Sequence, residues 1–259
     1  MRTLLVLCLI ASAHAENVEI KGYVRTVDGA GMAGVVVSAK AEGSTITTSV
    51  YTDKGGLYSF SPLPTGKYRM WAQAIGYQTA RAEFEPAADK WQNFRLASNS
   101  DSEQTFKQLP GNLALDALPE LTENDKRMKQ LVRNGCTSCH TASFPLQFRF
   151  DEAGWTAIIE LMKNANVYGS YVAKERQPSG ILDYHHKELA AYLAKARGPN
   201  AVSRIRLEPR PTGEAARVEI REYDLPLDPD QNLPANFVQN DGSDWSLGTP
   251  SVMIPGWGV

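Results

Sequence analysis

Cysteine and histidine are scarce in this chain, and their scarcity restricts the chemistry that it can carry. The 259 residues include three cysteines and four histidines. Three cysteines are too few for a disulfide-rich scaffold, and four histidines leave few possible metal sites. These seven residues are Cys8, Cys136, Cys139, His14, His140, His185 and His186.

An excess of charge of one sign is also lacking. The chain has 27 Lys and Arg residues against 29 Asp and Glu residues, a formal net charge of −2. The composition therefore gives no indication of a nucleic acid partner or of an acidic membrane surface. The sequence shows no Ser/His/Asp set, no carboxylate pair and no nucleotide-binding glycine loop, so it predicts no independent catalytic site.

The N-terminus has the pattern of a secretory signal peptide. Arg2 precedes an apolar run at residues 4–11, and Ala13-His14-Ala15 supplies a small-x-small cleavage site. The apolar run is too short to span a bilayer. A buried first strand is the alternative interpretation. The sequence predicts that residues 1–15 are removed and that the mature chain, without a transmembrane segment, is periplasmic or secreted.

The remaining two cysteines form the run Cys136-Thr137-Ser138-Cys139-His140. A Cys-x-x-Cys-His run is the attachment sequence of a c-type haem, in which two thiols reach the porphyrin edge and the histidine binds the iron. A thioredoxin-like redox pair would need a strand–helix unit that is not visible here. Half of a zinc site would need further ligands, and a plain disulfide would leave His140 unexplained. We therefore expect one covalent haem c.

Residues 17–97 have the alternation of apolar and polar residues that is typical of β-strands. Turn sequences such as Asp28-Gly29-Ala30-Gly31 and Asp53-Lys54-Gly55-Gly56 separate about seven short strands at roughly ten-residue spacing. This pattern predicts a β-sandwich.

Four segments of this region resemble the carboxypeptidase regulatory-like domain, a transthyretin-like sandwich. They are residues 24–39, 52–60, 63–68 and Gly76-Tyr77, and they include a Gly-x-Tyr-x-Phe…Leu-Pro-x-Gly-x-Tyr framework. The resemblance implies an accessory or binding module at residues 16–98 without peptidase activity. A rigid spacer is the alternative role.

The sequence of residues 99–120 indicates a linker, because Pro110-Gly111 and Pro119 should stop any helix.

The sequence of residues 121–198 indicates three helices around the Cys-x-x-Cys-His run. Thr122, Asp151 and Asp183 are their expected N-caps. A loop with Phe144-Pro145-Leu146 and Phe148 follows the run and could form a wall for a haem.

This order of elements resembles a small monohaem cytochrome c domain over residues 121–198. The resemblance implies that Cys136 and Cys139 form thioether links and that His140 is the proximal iron ligand. Such domains often carry a distal Met before the last helix, but residues 163–184 contain none.

The distal ligand therefore has competing candidates. Met162 ends an apolar stripe through Trp155, and this Trp-x6-Met spacing resembles short cytochrome domains in which that Met is the ligand. Core filling by a flexible thioether is the other interpretation of Met162. His185 and His186 lie at the start of the last helix, where they are either alternative ligands or solvated first-turn residues. An open site is a further alternative.

Residues 199–259 contain eight of the 15 prolines, and the helical periodicity ends there. Residues 217–226 predict one strand, which resembles the lead-in to a β-propeller of the virginiamycin B lyase type. We expect either a truncated propeller or an irregular wrap on the cytochrome domain.

The predicted fold class is thus a multidomain α+β chain, with a β-sandwich, an all-α cytochrome c domain and an irregular C-terminal tail. The predicted function is electron transfer by an exported cytochrome, with a redox partner protein or small-molecule donor or acceptor. One alternative is the N-terminal part of a propeller-bearing lyase or dehydrogenase. Another is a module that binds a surface polymer or protein and carries a haem appendage.

Overall fold

The computed structural model describes residues 17–137, 141–163 and 180–224, and the backbone of two further strands, β12 (Met253–Ile254) and β13 (Trp257–Gly258). Residues 1–16, Cys139, His140 and most of the tail beyond residue 224 lie outside the described residues. The other strands are β1 (Asn17–Val18), β2 (Ile20–Thr26), β3 (Val36–Ala41), β4 (Ile46–Tyr51), β5 (Leu57–Ser59), β6 (Leu63–Pro64), β7 (Tyr68–Gln73), β8 (Ala80–Phe84), β9 (Lys90–Trp91), β10 (Phe94–Leu96) and β11 (Glu219–Tyr223).

The predicted N-terminal sandwich is confirmed. One sheet has the order β11-β4-β3-β7-β8, with antiparallel pairing throughout. The other sheet is centred on β2, which pairs with β5 in antiparallel orientation and with β9 and β10 in parallel orientation. Alternate residues of both sheets, among them Val37, Met70 and Phe94, are buried in a shared core, as the period of two requires.

A close backbone approach holds β9 against β2. A Cβ atom on Gly22 would lie 1.8 Å from the carbonyl oxygen of Gln92, so only glycine fits at this position. The hydroxyl of the buried Tyr58 donates a hydrogen bond to the same carbonyl group. The segment that contains Trp91 and Gln92 is therefore held firmly against β2.

Six helices are described after the first ten strands, and a second apolar core lies among them. The helices are α1 (Ser102–Phe106), α2 (Gly111–Asp116), α3 (Glu123–Cys136), α4 (Ser143–Leu146), α5 (Glu152–Lys163) and α6 (Gly180–Arg197). Thr122 caps α3 as expected, and Asp125 completes a capping box although Glu or Gln is usual there. Asp183 is not an N-cap, because α6 begins three residues earlier and places it in the first turn.

The expectation of a helix-free linker at residues 99–120 is wrong. Pro110 is the N-cap of α2, and Asp101 caps α1, so these residues begin helices instead of stopping them. Phe106 and Leu109 are buried in the helical core. The predicted loop at residues 144–146 is likewise part of a short helix, α4.

The same segment joins the helices to the sandwich. The side chain of Gln108 accepts a hydrogen bond from the amide of Gly76 and donates one to the carbonyl of Tyr77, both at 2.8 Å. Ile75, at the end of β7, packs against the helical core. The two parts of the molecule are therefore in direct contact.

The described part of the tail returns to the sandwich. Strand β11 pairs with β4, and Asp224 forms an ion pair with Lys40 at 2.8 Å. The strand predicted over residues 217–226 thus exists at Glu219–Tyr223, but it is an edge strand of the sandwich. The first residues of the tail do lie on the helical region as one of the two expectations had it, because Arg149 donates to the carbonyl of Ala201 and Ile205 packs against the helical core.

A buried charge cluster connects α1, α4 and α6. The guanidinium group of Arg197 is 1% exposed and forms an ion pair with Glu103 at 2.8 Å. It also donates to the carbonyl of Leu146 and lies over the ring of Phe106 at 3.6 Å. Arg149 forms a second ion pair with Glu103 at 2.8 Å. Burial opposes ionisation of Glu103, but the two arginines outweigh it and hold the pKa of this carboxyl below its usual range.

We expect Glu103→Gln to lower the free energy of unfolding by about 2 kcal/mol near pH 7, because Arg197 loses its buried counter-charge. Since the folded-state pKa of Glu103 is lowered, the stabilisation is present above its ordinary value of 4.5 and is lost as pH falls through the folded-state pKa. Urea unfolding near pH 7 and near pH 3 should therefore show a gap between wild type and variant that narrows in acid. Glu123→Gln, which changes an exposed pair with Lys126, is the control and should cost less than about 0.5 kcal/mol. Equal losses in both variants would contradict this prediction.

Candidate haem site at the end of the helical region

The first cysteine of the Cys-x-x-Cys-His run lies at the C-terminal end of helix α3. Cys136 is the last residue of α3, is half-buried and packs against the helical core. The hydroxyl of Thr137 donates a hydrogen bond back to the carbonyl of Arg133 and closes the last turn. Burial raises the pKa of the Cys136 thiol to about 11. The positions of Cys139 and His140 lie outside the described residues.

Helices α3 and α6 pack in antiparallel orientation. Near the start of α3, Asp125 contacts Lys195 late in α6 at 3.1 Å. At the other end, a Cβ atom on Gly135 would lie 3.1 Å from Ile181, so the helices are close there. The C-terminus of α3 with Cys136 therefore meets the N-terminus of α6.

Helices α5 and α6 are also antiparallel. Lys163, the last residue of α5, lies 3.5 Å from Asp183. Further back in α5, the carbonyl of Thr156 is 3.1 Å from Nε2 of His186. The C-terminus of α5 with Met162 therefore meets the N-terminus of α6 as well.

Three helix ends thus meet at one end of the helical region, and we call this the cysteine end. Cys136 and Met162 lie in the last turns of α3 and α5, and the His185–His186 pair lies between one and two turns into α6, so residues that are 23 or more positions apart in sequence lie on neighbouring helix ends. Only the antiparallel packing of α3 and α5 on α6 produces this arrangement.

Met162 is not a core residue. The earlier members of its stripe, Trp155 and Ile159, are buried, but Met162 is 38% exposed. Its interpretation as a core-filling thioether is therefore wrong, because the last turn of α5 extends beyond the core. An exposed thioether at the cysteine end is available to a ligand.

The two histidines are neither solvated nor equivalent. Their side chains are 20% and 19% exposed, so the expectation of solvated first-turn residues is wrong. His186 has both ring nitrogens near α5, with Nδ1 3.6 Å from Glu160 and Nε2 at the Thr156 carbonyl. Nδ1 of His185 is buried, lies 3.7 Å from the Glu188 carboxylate and has no hydrogen-bond partner among the described residues. His185 is therefore the freer imidazole.

A row of aromatic rings follows the Cys-x-x-Cys-His run. Phe144 contacts Phe148 edge-on at 6.0 Å, Phe148 stacks on Phe150 at 5.7 Å, and Phe150 contacts Trp155 at 5.4 Å. The indole nitrogen of Trp155 is buried, and no hydrogen-bond partner for it lies within the part of the chain that the structure describes. Sequence reasoning singled out Phe144 and Phe148 but missed this polar atom, because burial of one ring nitrogen leaves no pattern in sequence.

The described side chains near Cys136 include groups that could hold a cofactor. Within residues 17–137, 141–163 and 180–224, no three His, Cys, Asp or Glu side chains converge as a metal site. Haem iron needs only one or two protein ligands, since the porphyrin supplies the others. A thiol, an exposed thioether, an imidazole and a row of aromatic rings are groups that could hold or line such a cofactor. No helix in this described part is both long and apolar enough to cross a membrane.

Comparison with known proteins identifies the sandwich. Residues 19–106 match the carboxypeptidase regulatory-like domain family. These residues are a carboxypeptidase regulatory-like domain. The matched range ends in α1, so the regulatory-like domain includes residues that the sequence had assigned to a linker.

Solved structures give only distant likenesses. The Bacillus anthracis TIE protein is 16% identical over 32% of this chain and 16% of its own, with a TM-score of 0.27. A Rhodococcus opacus 3-chlorocatechol 1,2-dioxygenase is 10% identical over 34% of this chain and 62% of its own, with a TM-score of 0.29. A minor pilin of Streptococcus agalactiae is 17% identical over 33% and 46%, with a TM-score of 0.28. The chain spans less than two thirds of each of these proteins. No curated protein matches the sequence.

The raised pKa of Cys136 predicts that its thiol reacts slowly with alkylating reagents. In haem-free folded protein near pH 7, we expect iodoacetamide to modify Cys136 about a hundredfold more slowly than an ordinary cysteine, because little thiolate is present. The rate should rise with pH up to about 11. Mass spectrometry of the peptide that contains Cys136 measures this rate, with the urea-unfolded chain as control. Equal rates in folded and unfolded chains would show that the thiol is not buried.

Proposed function

We propose that this chain is an exported electron-transfer protein that carries one covalent haem c at the cysteine end, with the regulatory-like domain as an accessory module. The single observation that supports the proposal is that α3, which ends at Cys136, and α5, which carries Met162 in its last turn, both end beside the start of α6, which carries His185. A six-coordinate haem c needs a Cys-x-x-Cys-His run for attachment and proximal ligation, and a distal ligand, which another helix can supply.

When bound, haem supplies one-electron redox chemistry. Cys136 and Cys139 would hold it by thioether links, and His140 would be the proximal ligand. The aromatic row and the buried residues around Cys136 would exclude water, and burial of this kind influences the reduction potential. The unpartnered indole N–H of Trp155 is a donor for an acidic group.

Met162 is the proposed distal ligand, and His185 is the alternative. The exposed thioether of Met162 can turn toward a ligand without breaking a core contact. A ligating imidazole usually donates its other N–H to an acceptor, but Nδ1 of His185 has none within hydrogen-bond distance. His186 is the least suitable of the three, because both of its ring nitrogens already have neighbours on α5.

The accessory domain would fix where the redox centre sits. Gln108 and Ile75 attach the helices to the loop that follows β7. A firm joint of this kind orients the cysteine end relative to whatever the sandwich contacts. A periplasmic or secreted location, a redox partner protein or small molecule, and electron transfer without a separate catalytic site complete the proposal.

Expression in a host with c-type maturation should give one haem per chain. We expect denatured protein to retain the haem mass on the peptide that contains Cys136 and Cys139, because thioether links survive unfolding. Cys136→Ala should leave a single link or lose the haem, whereas Cys8→Ala, provided that export is retained, should leave haem content unchanged. A denatured chain without this mass adduct would overturn the proposal.

The ferric absorption spectrum should identify the distal ligand. Met162→Ala should abolish the sulfur-to-iron charge-transfer band and lower the reduction potential, because Met ligation raises it. Leu161→Ala, at a neighbouring exposed position of α5, should change neither. If the wild type lacks the band and responds instead to His185→Ala, the Met162 assignment is wrong.

A further inference from the structure

The outer side of the β2 sheet carries a line of cations and aromatic rings, which we call the cationic–aromatic row. Lys21, Tyr23 and Arg25 point to the same side of β2, since they are two residues apart. Trp91 lies beside Lys21 in the pairing of β9 with β2, and Arg95 lies beside Arg25 in the pairing of β10 with β2. The row faces solvent, and Trp91 is 53% exposed.

The members of the row contact one another in sequence along the sheet. The ammonium group of Lys21 lies over Trp91, 5.4 Å from the ring centre. Trp91 and Tyr23 are nearly parallel, with ring centres 5.8 Å apart. The guanidinium group of Arg25 lies over Tyr23 at 5.1 Å. Each ring therefore holds a cation in place by cation–π attraction.

The positive charges of the row outnumber the carboxylates that pair with them. Arg25 and Arg95 are direct neighbours, and like charges in this position repel. Neither has an ion-pair partner among the described residues: Arg25 lies on Tyr23, and Arg95 donates to the carbonyl of Val27. Only Lys21 has an acidic neighbour, Glu19, at 3.3 Å. An anionic ligand would relieve the repulsion between the two arginines.

The backbone beneath the row is rigidly held. Gly22 allows β9 to approach β2, and Tyr58 binds the carbonyl of Gln92. The amide of Tyr23 donates to the side chain of Asn93 at 2.9 Å, which fixes the residues between Trp91 and Arg95. A surface of this kind is organised before a ligand binds, so binding costs little ordering entropy.

We propose that the cationic–aromatic row binds a linear acidic polysaccharide through the carboxylates of its uronic acid units. The row is about 13 Å long and two strands wide, with about 5 Å between the strand axes. This area is far below the roughly 800 Å² that each partner contributes to a stable protein interface, so a narrow chain fits better than a globular protein. Carboxylates repeated along a polymer match arginines, which bind them in bidentate fashion.

The charge and the ring contacts disfavour the other linear or extended anions. Single-stranded nucleic acid uses aromatic faces for base stacking within a strongly basic groove. Here cations lie over the rings, and the chain has a net charge of −2. An anionic bilayer would need a larger apolar surface for insertion than one Trp and one Tyr provide.

Titration calorimetry of the full chain with polygalacturonate tests the proposal, with dextran as the neutral polymer. We expect binding that weakens as salt is added and no binding of dextran. Arg25→Gln combined with Arg95→Gln should weaken binding at least about tenfold, and Trp91→Ala should weaken it severalfold because Lys21 and Tyr23 lose their neighbour.

Matched control variants lie away from the row. Tyr223→Ala changes an exposed aromatic residue of the opposite sheet, and Arg217→Gln changes an exposed arginine. Both should bind polygalacturonate like the wild type, and all variants should keep the wild-type melting temperature. No binding, or equal losses in row and control variants, would overturn the proposal. Tighter binding of oligo-dT or of phosphatidylglycerol vesicles through the same arginines would also overturn it, in favour of that ligand. None of these results depends on haem.

Discussion

The buried guanidinium group of Arg197 is the point on which the helical region depends. It lies at the end of α6 and binds a carboxylate of α1, a carbonyl of α4 and the ring of Phe106. Loss of the partner of this buried charge would destabilise the fold by about 2 kcal/mol or more, so the packing of these three elements is coupled through Arg197. The short helices α1 and α4 could not be stable by themselves, since isolated helices of four or five residues do not form in water.

The attachment of the C-terminus of α6 also determines which residues lie near its N-terminus. With the C-terminus of α6 attached to α1 and α4, the antiparallel neighbours α3 and α5 place their C-termini at the N-terminus of α6. The N-terminus of α6, where α3 and α5 end, thus lies one helix length, roughly 27 Å, from the charge cluster, and His185 lies about 18 Å from it along the same helix. Stability and chemistry are separated in this way, and the side chains at the cysteine end are free to be exposed or unpaired.

Local patterns in the sequence predicted much of the fold. The turn at residues 53–56 forms as expected because the Asp53 side chain accepts hydrogen bonds from the amides of Gly55 and Leu57. The apolar stripe of α3 and its Thr122 cap were likewise visible. Features that depend on distant contacts were not visible. By sequence alone Pro110 indicates the end of a helix, whereas in the structure it begins α2, whose Leu113 is buried in the helical core. Strand β11 pairs with a strand about 170 residues earlier, and no local pattern predicts that pairing.

The candidate site shows the same division. The spacing of Cys136, Cys139 and His140 is a local signal, and it predicted a cofactor without any knowledge of the fold. The roles of Met162 and His185 depend on burial, and the stripe that contains Met162 gives the same pattern whether its last member is buried or exposed. Sequence could also not separate His185 from His186, because the difference lies in contacts with Thr156 and Glu160 on another helix.

The two proposed sites lie on different modules, and the joint between the modules is what gives their combination a physical meaning. A flexible linker would let the helical region sample many orientations, so a ligand held by the sandwich would not determine where the redox centre faces. Gln108 binds both Gly76 and Tyr77, and Ile75 is inserted into the helical core. The tail adds a second connection, since the segment after α6 runs back to β4. Two separate attachments resist rotation better than one, so immobilising the sandwich on a polymer would also orient the cysteine end.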